Sequence, residues 1–245
     1  MLRQLARYFF IVNISSAIFD RSAPDLESCP DESLPEFAFI GRSNVGKSSL
    51  LNFLAGEEGL ARVSPTPGFT KMINIFTVNK NWRLVDLPGY GFAQGAKKDS
   101  AKFNKAVAIY LRNRPNLTCV FALIDSSLEP QEIDLEFIEW LVRNAIPFVL
   151  VFTKTDKISA DEMPANITAF MDCIAPWFEE LPKYFTCSVK NEQGRQELFG
   201  VIDEALTAIY AESNQAPLAE GEVAPTRKEK AKAARPKRPN PARPW

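Results

Sequence analysis

The chain contains no histidine among its 245 residues. That absence removes Ser-His and Cys-His nucleophile pairs and every imidazole metal ligand, so any chemistry runs on carboxylates, lysines, hydroxyls, backbone amides and bound ions. Cysteine is scarce as well. The four present, Cys29, Cys119, Cys173 and Cys187, lie far apart and form no C-x-x-C pair. Such spacing fits reduced, packed thiols in a cytosolic protein rather than a disulfide framework or a zinc site. Long apolar runs are also missing. The opening stretch MLRQLARYFFIVNISS has two arginines and an apolar run at 8–12, broken by Asn13. The run is too short to span a bilayer, and its aromatic and β-branched residues suit an ordered segment packed on the domain. No membrane partner is expected.

What remains is ordinary globular composition, 46% apolar and 24% charged, in a chain long enough to bury a large core without staples. A net charge of -1 hides an uneven distribution. Residues 221–245 hold eight basic and two acidic side chains, which leaves 21 basic and 28 acidic ones in 1–220. The terminal stretch of Ala, Pro, Lys and Arg has little apolar surface to offset its ordering entropy. One domain over 1–214, with segment 1–35 packed on it, and a disordered basic tail over 215–245 are therefore expected.

Within the body, short β-rich apolar runs alternate with helical periodicity. Strands are predicted at 37–40, 73–78, 82–86, 119–124, 148–152 and 184–187, and helices at 47–54, 100–113, 131–144, 165–174 and 195–211. This order predicts an α/β three-layer fold with a mostly parallel six-stranded sheet and helices on both faces. Asn79-Lys80-Asn81 is a short polar turn, so the second and third strands should form one antiparallel hairpin.

Gly41-Arg42-Ser43-Asn44-Val45-Gly46-Lys47-Ser48 fits G-x-x-x-x-G-K-[ST] without a mismatch, between an apolar strand and a helical run. Glycines at both ends let successive N–H groups turn inward on phosphates, and the helix N-terminus adds favourable potential. Lys47 is placed to reach the β and γ phosphates, and the Ser48 hydroxyl to ligate Mg²⁺. Asp86-Leu87-Pro88-Gly89 follows an apolar strand, which puts a carboxylate where open α/β sheets bind ligands. Asp86 is then a water-mediated Mg²⁺ partner, and the Gly89 amide a γ-phosphate contact. Upstream, Pro65-Thr66-Pro67-Gly68-Phe69-Thr70 offers Thr70 as a second hydroxyl for Mg²⁺. Lys47, Thr70 and Gly89 are thus the residues expected to act on the reacting phosphate.

Thr153-Lys154-Thr155-Asp156 closes another strand. The Asp156 carboxylate can accept from the N1–H and amino groups of guanine, whereas adenine has an acceptor at N1 and no amine at C2. The Lys154 stem can lie over the base. Thr186-Cys187-Ser188 can supply a hydroxyl and amides to the guanine O6. Together these elements predict a P-loop GTPase.

The run Gly41 to Leu50, then Thr66-Pro67-Gly68-x-Thr70, Val85-Asp86-Leu87-Pro88-Gly89-Tyr90-Gly91 and Thr153-Lys154-x-Asp156, resembles the EngB/YihA family of bacterial ribosome-assembly GTPases, within the TrmE-Era-EngA-EngB-Septin-like superfamily. The resemblance covers roughly residues 10–210. It implies GTP-dependent assembly of the large ribosomal subunit, a link to cell division and septation, and Mg²⁺ as cofactor. It also implies nucleotide contacts from Gly41 through Ser48, from Gly68, Phe69, Thr70, Lys71 and Met72, from Asp86, Leu87, Pro88 and Gly89, from Thr153 through Asp156, and from Thr186, Cys187 and Ser188. Its metal ligands fall on Ser48 and Thr70. Phe69 stands where the family usually has arginine, and the basic tail extends past the shared domain. In related GTPases an Asn at the place of Asn44 helps hold K⁺ beside the phosphates, which makes K⁺ a second candidate ion.

Many GTPases carry a water-orienting Gln after the glycine matched by Gly89; this chain has Tyr90. Unassisted turnover should therefore be slow, on the order of 10⁻⁴ to 10⁻³ per second. A monomeric, cytoplasmic timer bound to the large subunit or its precursor is the leading expectation. A switch acting on another RNA or membrane partner, and a nucleotide-binding scaffold without useful turnover, remain alternatives.

Overall fold

The computed structural model describes residues 13–61, 72–91 and 105–215, with side chains as far as residue 211. The run at 8–12, Gly68 to Lys71 and the tail 216–245 lie outside the described residues.

Period-two apolar patterns build the sheet. In β2 (Glu36–Gly41), Phe37 and Phe39 enter one core while Ala38 and Ile40 enter the other. In β5 (Leu117–Asp125), Cys119, Phe121 and Leu123 alternate with Val120, Ala122 and Ile124 in the same way. Strands apolar on both faces must be covered on both, as parallel central strands are. Accordingly α1 (Lys47–Ala55) and α5 (Arg195–Gln215) supply apolar residues to one core. The other core takes its helical residues from α2 (Lys105–Asn113), α3 (Glu132–Arg143) and α4 (Glu162–Ile174).

The strand order is β1-β3-β4-β2-β5-β6-β7, where β1 is Ala17–Ala23, β3 Ile73–Val78, β4 Trp82–Asp86, β6 Phe148–Thr153 and β7 Tyr184–Thr186. β1 with β3 and β3 with β4 are antiparallel; the remaining pairings are parallel. The α/β fold stands as expected, but among the described residues the sheet has seven strands rather than six. The added strand, β1, reads Ala-Ile-Phe-Asp-Arg-Ser-Ala and is mostly exposed, so it has no apolar alternation to betray it. Such an edge strand is held by its ladder rather than by burial.

The hairpin between β3 and β4 forms on Asn79 and Lys80, at φ of 49° and 61°. Two left-handed residues are what a type I′ turn requires. The Asn79 amide oxygen also accepts from the N–H groups of Ser15 and Ser16 at 2.9 and 3.1 Å, fastening the approach to β1. The helix α4 begins at Glu162, earlier than the expected 165, because Pro164 is tolerated in a first turn.

One polar cluster sits under the sheet. Glu36, fully buried, accepts from Arg114 at 2.6 and 2.8 Å, from the Tyr110 hydroxyl at 2.7 Å and from Arg83 at 3.4 Å. Arg114 also donates to the Pro30 carbonyl at 2.9 Å and Arg83 to that of Asp31 at 2.6 Å. Burial favours the neutral form of Arg114, yet the bonds to Glu36 outweigh it and raise its pKa. Burial and the Glu36 charge hold the Tyr110 phenol far above its usual value, so it donates.

Candidate nucleotide site

β2 lies between β4 and β5, so chain leaving its carboxyl end enters the crevice where strand order reverses. At Gly41, where the loop begins, there is no room for a side chain. A Cβ on Gly41 would sit 2.6 Å from the Leu123 carbonyl oxygen. Asn44 and Gly46 are left-handed, at φ of 66° and 101°, a backbone path that forms anion-binding concavities. Gly46, at the N-cap of α1, has no side chain to occupy the first-turn N–H groups. Those groups can therefore serve an anion.

Lys47 opens α1 and its ammonium hydrogen-bonds the carboxylate at the end of β4, Asp86, with both side chains buried. Asp86 is set by its register opposite Phe39 and Asn74. Ser48 is half-buried in the first turn of α1. Hydroxyl and carboxylate oxygens are donors of the hard kind that Mg²⁺ takes, alongside phosphate and water. Among the described residues no group of three or more acidic or Cys side chains could hold a metal alone.

Beyond Asp86 the chain runs along the phosphate loop. Leu87 N–H donates to the Phe39 carbonyl at 3.1 Å, Tyr90 N–H to that of Gly41 at 3.2 Å, and Ser43 N–H to that of Tyr90 at 3.3 Å. A Cβ on Gly89 would meet the Gly41 oxygen at 2.9 Å and Ser43 N at 3.2 Å, so this contact needs glycine. Leu87 is buried, and Met72, at the entry to β3, is exposed.

Two side chains beside the loop turn towards α3. Arg42 turns its guanidinium towards α3, where Nε lies 2.9 and 3.0 Å from the Asp134 carboxylate oxygens. Tyr90 is buried and its hydroxyl donates to Asp134 at 2.9 Å. Burial and the neighbouring Asp134 charge push the phenol well above its usual range. Burial also raises the Asp134 carboxyl, against the pull of Arg42. Sequence reading missed Asp134. It occupies the stripe of α3 that buries Phe137, Ile138 and Leu141, and a carboxylate on a core stripe was the available signal.

The second loop cluster is tied to the first. The Thr153 hydroxyl, at the end of β6, lies 2.7 Å from the Val45 carbonyl oxygen and 3.2 Å from that of Ile124. Lys154 is left-handed, at φ 61°, and its ammonium donates to Asp125 at 2.5 Å. Burial raises the Asp125 carboxyl, but bonds from Lys154 and Ser127 outweigh it and hold it below its ordinary value. Asp125 was also missed, although it ends β5 as Asp86 ends β4. Asp156 accepts from the Ser188 hydroxyl at 2.8 Å, and Thr155 N–H lies 3.4 Å from the Cys187 carbonyl oxygen. Cys187 is buried and its thiol pushed up to about 11, so it stays protonated and unreactive. Gly194, at φ 88°, lets the chain pass Thr186, where a Cβ would lie 2.3 Å from the carbonyl oxygen.

A groove of about 1070 Å³ opens between α1 and the loop before α5, touching Ser49 and Thr186. Its rim includes Glu57, Glu58, Glu192 and Glu197, which disfavours phosphates there. The phosphate-type donors lie elsewhere, around Gly41 to Lys47.

Fold and motifs together define a P-loop GTPase. A family model described as 50S ribosome-binding GTPase matches residues 36–154. A probable GTP-binding protein EngB from Phocaeicola vulgatus is 48% identical over 200 residues, spanning 82% of this chain and all of that protein. One from Bacteroides thetaiotaomicron is 46% identical over 199 residues, or 81% and 98% of the two chains. A crystal structure of a probable GTP-binding protein engB superposes with a TM-score of 0.55 at 26% identity, covering 71% of this chain and 99% of that one. The chain belongs to the EngB family of GTP-binding proteins.

Proposed function

We propose that this GTPase is a slow, cytoplasmic, monomeric switch that gates assembly of the large ribosomal subunit, with cell division linked to it. The observation that carries the switch is the contact of Gly89 and Tyr90 with the phosphate loop. A group that arrives beyond the β-phosphate would touch Gly89 and the loop at once, so the Asp86-to-Gly89 segment can register it. Lys47 is the contact to the β and γ phosphates. Ser48 and Thr70 are the proposed Mg²⁺ ligands, with Asp86 behind a water. Bound there, Mg²⁺ supplies charge neutralisation at the phosphate oxygens. Asp156, aligned by Ser188, reads the guanine edge. The family description as 50S ribosome-binding supports the choice of the large subunit. Among the described residues no helix is long and apolar enough to cross a membrane.

Co-sedimentation with ribosomal subunits, in the presence of a non-hydrolysable GTP analogue, of GDP, or of neither, tests this reading. Binding to the large subunit or its precursors with the analogue alone is the expected result. Nucleotide-independent behaviour towards both subunits would remove the ribosome from the account. Deleting 221–245 then measures the basic tail, whose phosphate contacts would appear as a shallower salt dependence.

Asn44, exposed on the outer turn of the phosphate loop, is the proposed K⁺ contact. Turnover in K⁺ buffer should exceed turnover in Na⁺ buffer at equal ionic strength. Equal rates would remove the potassium site.

A further inference from the structure

Arg42, Tyr90 and Asp134 come from three separate elements and meet at one carboxylate. Asp134 is in the first turn of α3 with only 1% of its side chain exposed, and both of its oxygens face Arg42. The Tyr90 hydroxyl donates to the same group, and the Tyr90 ring packs on Phe137 with centroids 4.5 Å apart. Gly91 follows at φ 84°, and a Cβ there would lie 3.0 Å from Ile133 of the same helix. A buried ion pair of this kind adds little net stability, because desolvation offsets its attraction. Its effect is geometric. It fixes the outer turn of the phosphate loop and the start of the Gly89-Tyr90-Gly91 run against a rigid helix.

The backbone carries that constraint to the site. Tyr90 exchanges hydrogen bonds with Gly41 and Ser43, and Gly89, one residue earlier, is in contact with the Gly41 carbonyl. Whatever holds Tyr90 therefore holds the Gly89 amide. We propose that Asp134 is a positioning residue for GTP hydrolysis: by clamping Arg42 and Tyr90 it presets the Gly89 amide where the terminal phosphate is read. The proposal rests on Gly89 being the γ-phosphate contact. Since GDP lacks that phosphate, the clamp acts more strongly on GTP affinity and turnover than on GDP affinity.

The test measures affinity for GDP and for a non-hydrolysable GTP analogue, both with Mg²⁺, and single-turnover hydrolysis. It uses the full chain and its Asp134→Ala, Asp134→Asn, Tyr90→Phe and Lys47→Ala variants. Loss of one or two charge-assisted bonds should weaken analogue binding about tenfold in Asp134→Ala and about threefold in Asp134→Asn and Tyr90→Phe, with turnover falling in parallel. GDP affinity should fall by a clearly smaller factor than analogue affinity in these three, because the Arg42 bond reaches the phosphate loop shared by both nucleotides whereas only the analogue carries the phosphate that meets Gly89. Tyr90→Phe keeps the ring on Phe137, so it reports on the hydroxyl even if Asp134→Ala folds poorly. Equal losses for both nucleotides, or none, alongside a Lys47→Ala chain that binds neither, would overturn the clamp and leave the nucleotide site standing. Retained binding by Lys47→Ala would remove the site itself, and the clamp with it.

Discussion

Asp156→Asn is expected to lose GTP affinity by roughly 10⁴-fold and to gain affinity for xanthosine triphosphate, because buried partners left unmatched discriminate that strongly. In the proposed site the carboxylate accepts two hydrogen bonds from the guanine edge. An amide at the same place offers one acceptor and one donor, which mismatches the guanine amine and matches the carbonyl that xanthine carries at C2. The Ser188 hydroxyl, 2.8 Å from Oδ1, can go on donating to the amide oxygen of the variant, turning its NH₂ towards the base. Competition of GTP and xanthosine triphosphate against a fluorescent nucleotide checks this. Unchanged GTP preference would mean that another group reads the base.

Glu36→Ala should be the most damaging single change to stability, at about 3–5 kcal/mol, the usual cost of stripping one partner from a buried ion pair. Its two oxygens accept from Arg114, Tyr110 and Arg83, and nothing of Glu36 is exposed. With the carboxylate gone, two buried guanidiniums keep the carbonyls of Pro30 and Asp31 and, farther off, the exposed carboxylates of Asp31 at 3.6 Å and Glu32 at 4.0 Å. For a domain of this size the loss corresponds to a fall in Tm of about 6–20 °C. Glu36→Gln, which keeps the shape and one accepting oxygen but sets an NH₂ donor against the donors that face the other, should lose less than the Ala variant, about 1–3 kcal/mol. Thermal and urea unfolding of both variants measure the effect; an Ala variant within about 1 kcal/mol of the parent would show that carbonyls and water replace the carboxylate.

The parts of this molecule that local chemistry controls were readable in the sequence. Apolar alternation located the central strands, left-handed turn residues the β3–β4 hairpin, and glycine spacing the phosphate loop. β1 escaped because an edge strand needs no apolar face. Asp134 and Asp125 escaped because their partners, Arg42 with Tyr90 and Lys154, lie far away in the chain and are brought close only by the sheet order. Thr70 and Phe69 lie outside the described residues, so their roles remain with the proposal.

The Thr153 hydroxyl, within hydrogen-bonding distance of the Val45 carbonyl, joins the loop before Asp156 to the loop before Lys47. On the proposed assignment a nucleotide is, in effect, a bidentate ligand whose purine and pyrophosphate ends meet parts of one preorganised wall. Linking two fragments then costs little additional freedom, as in chelation, and the intact molecule binds more tightly than its separated halves would suggest.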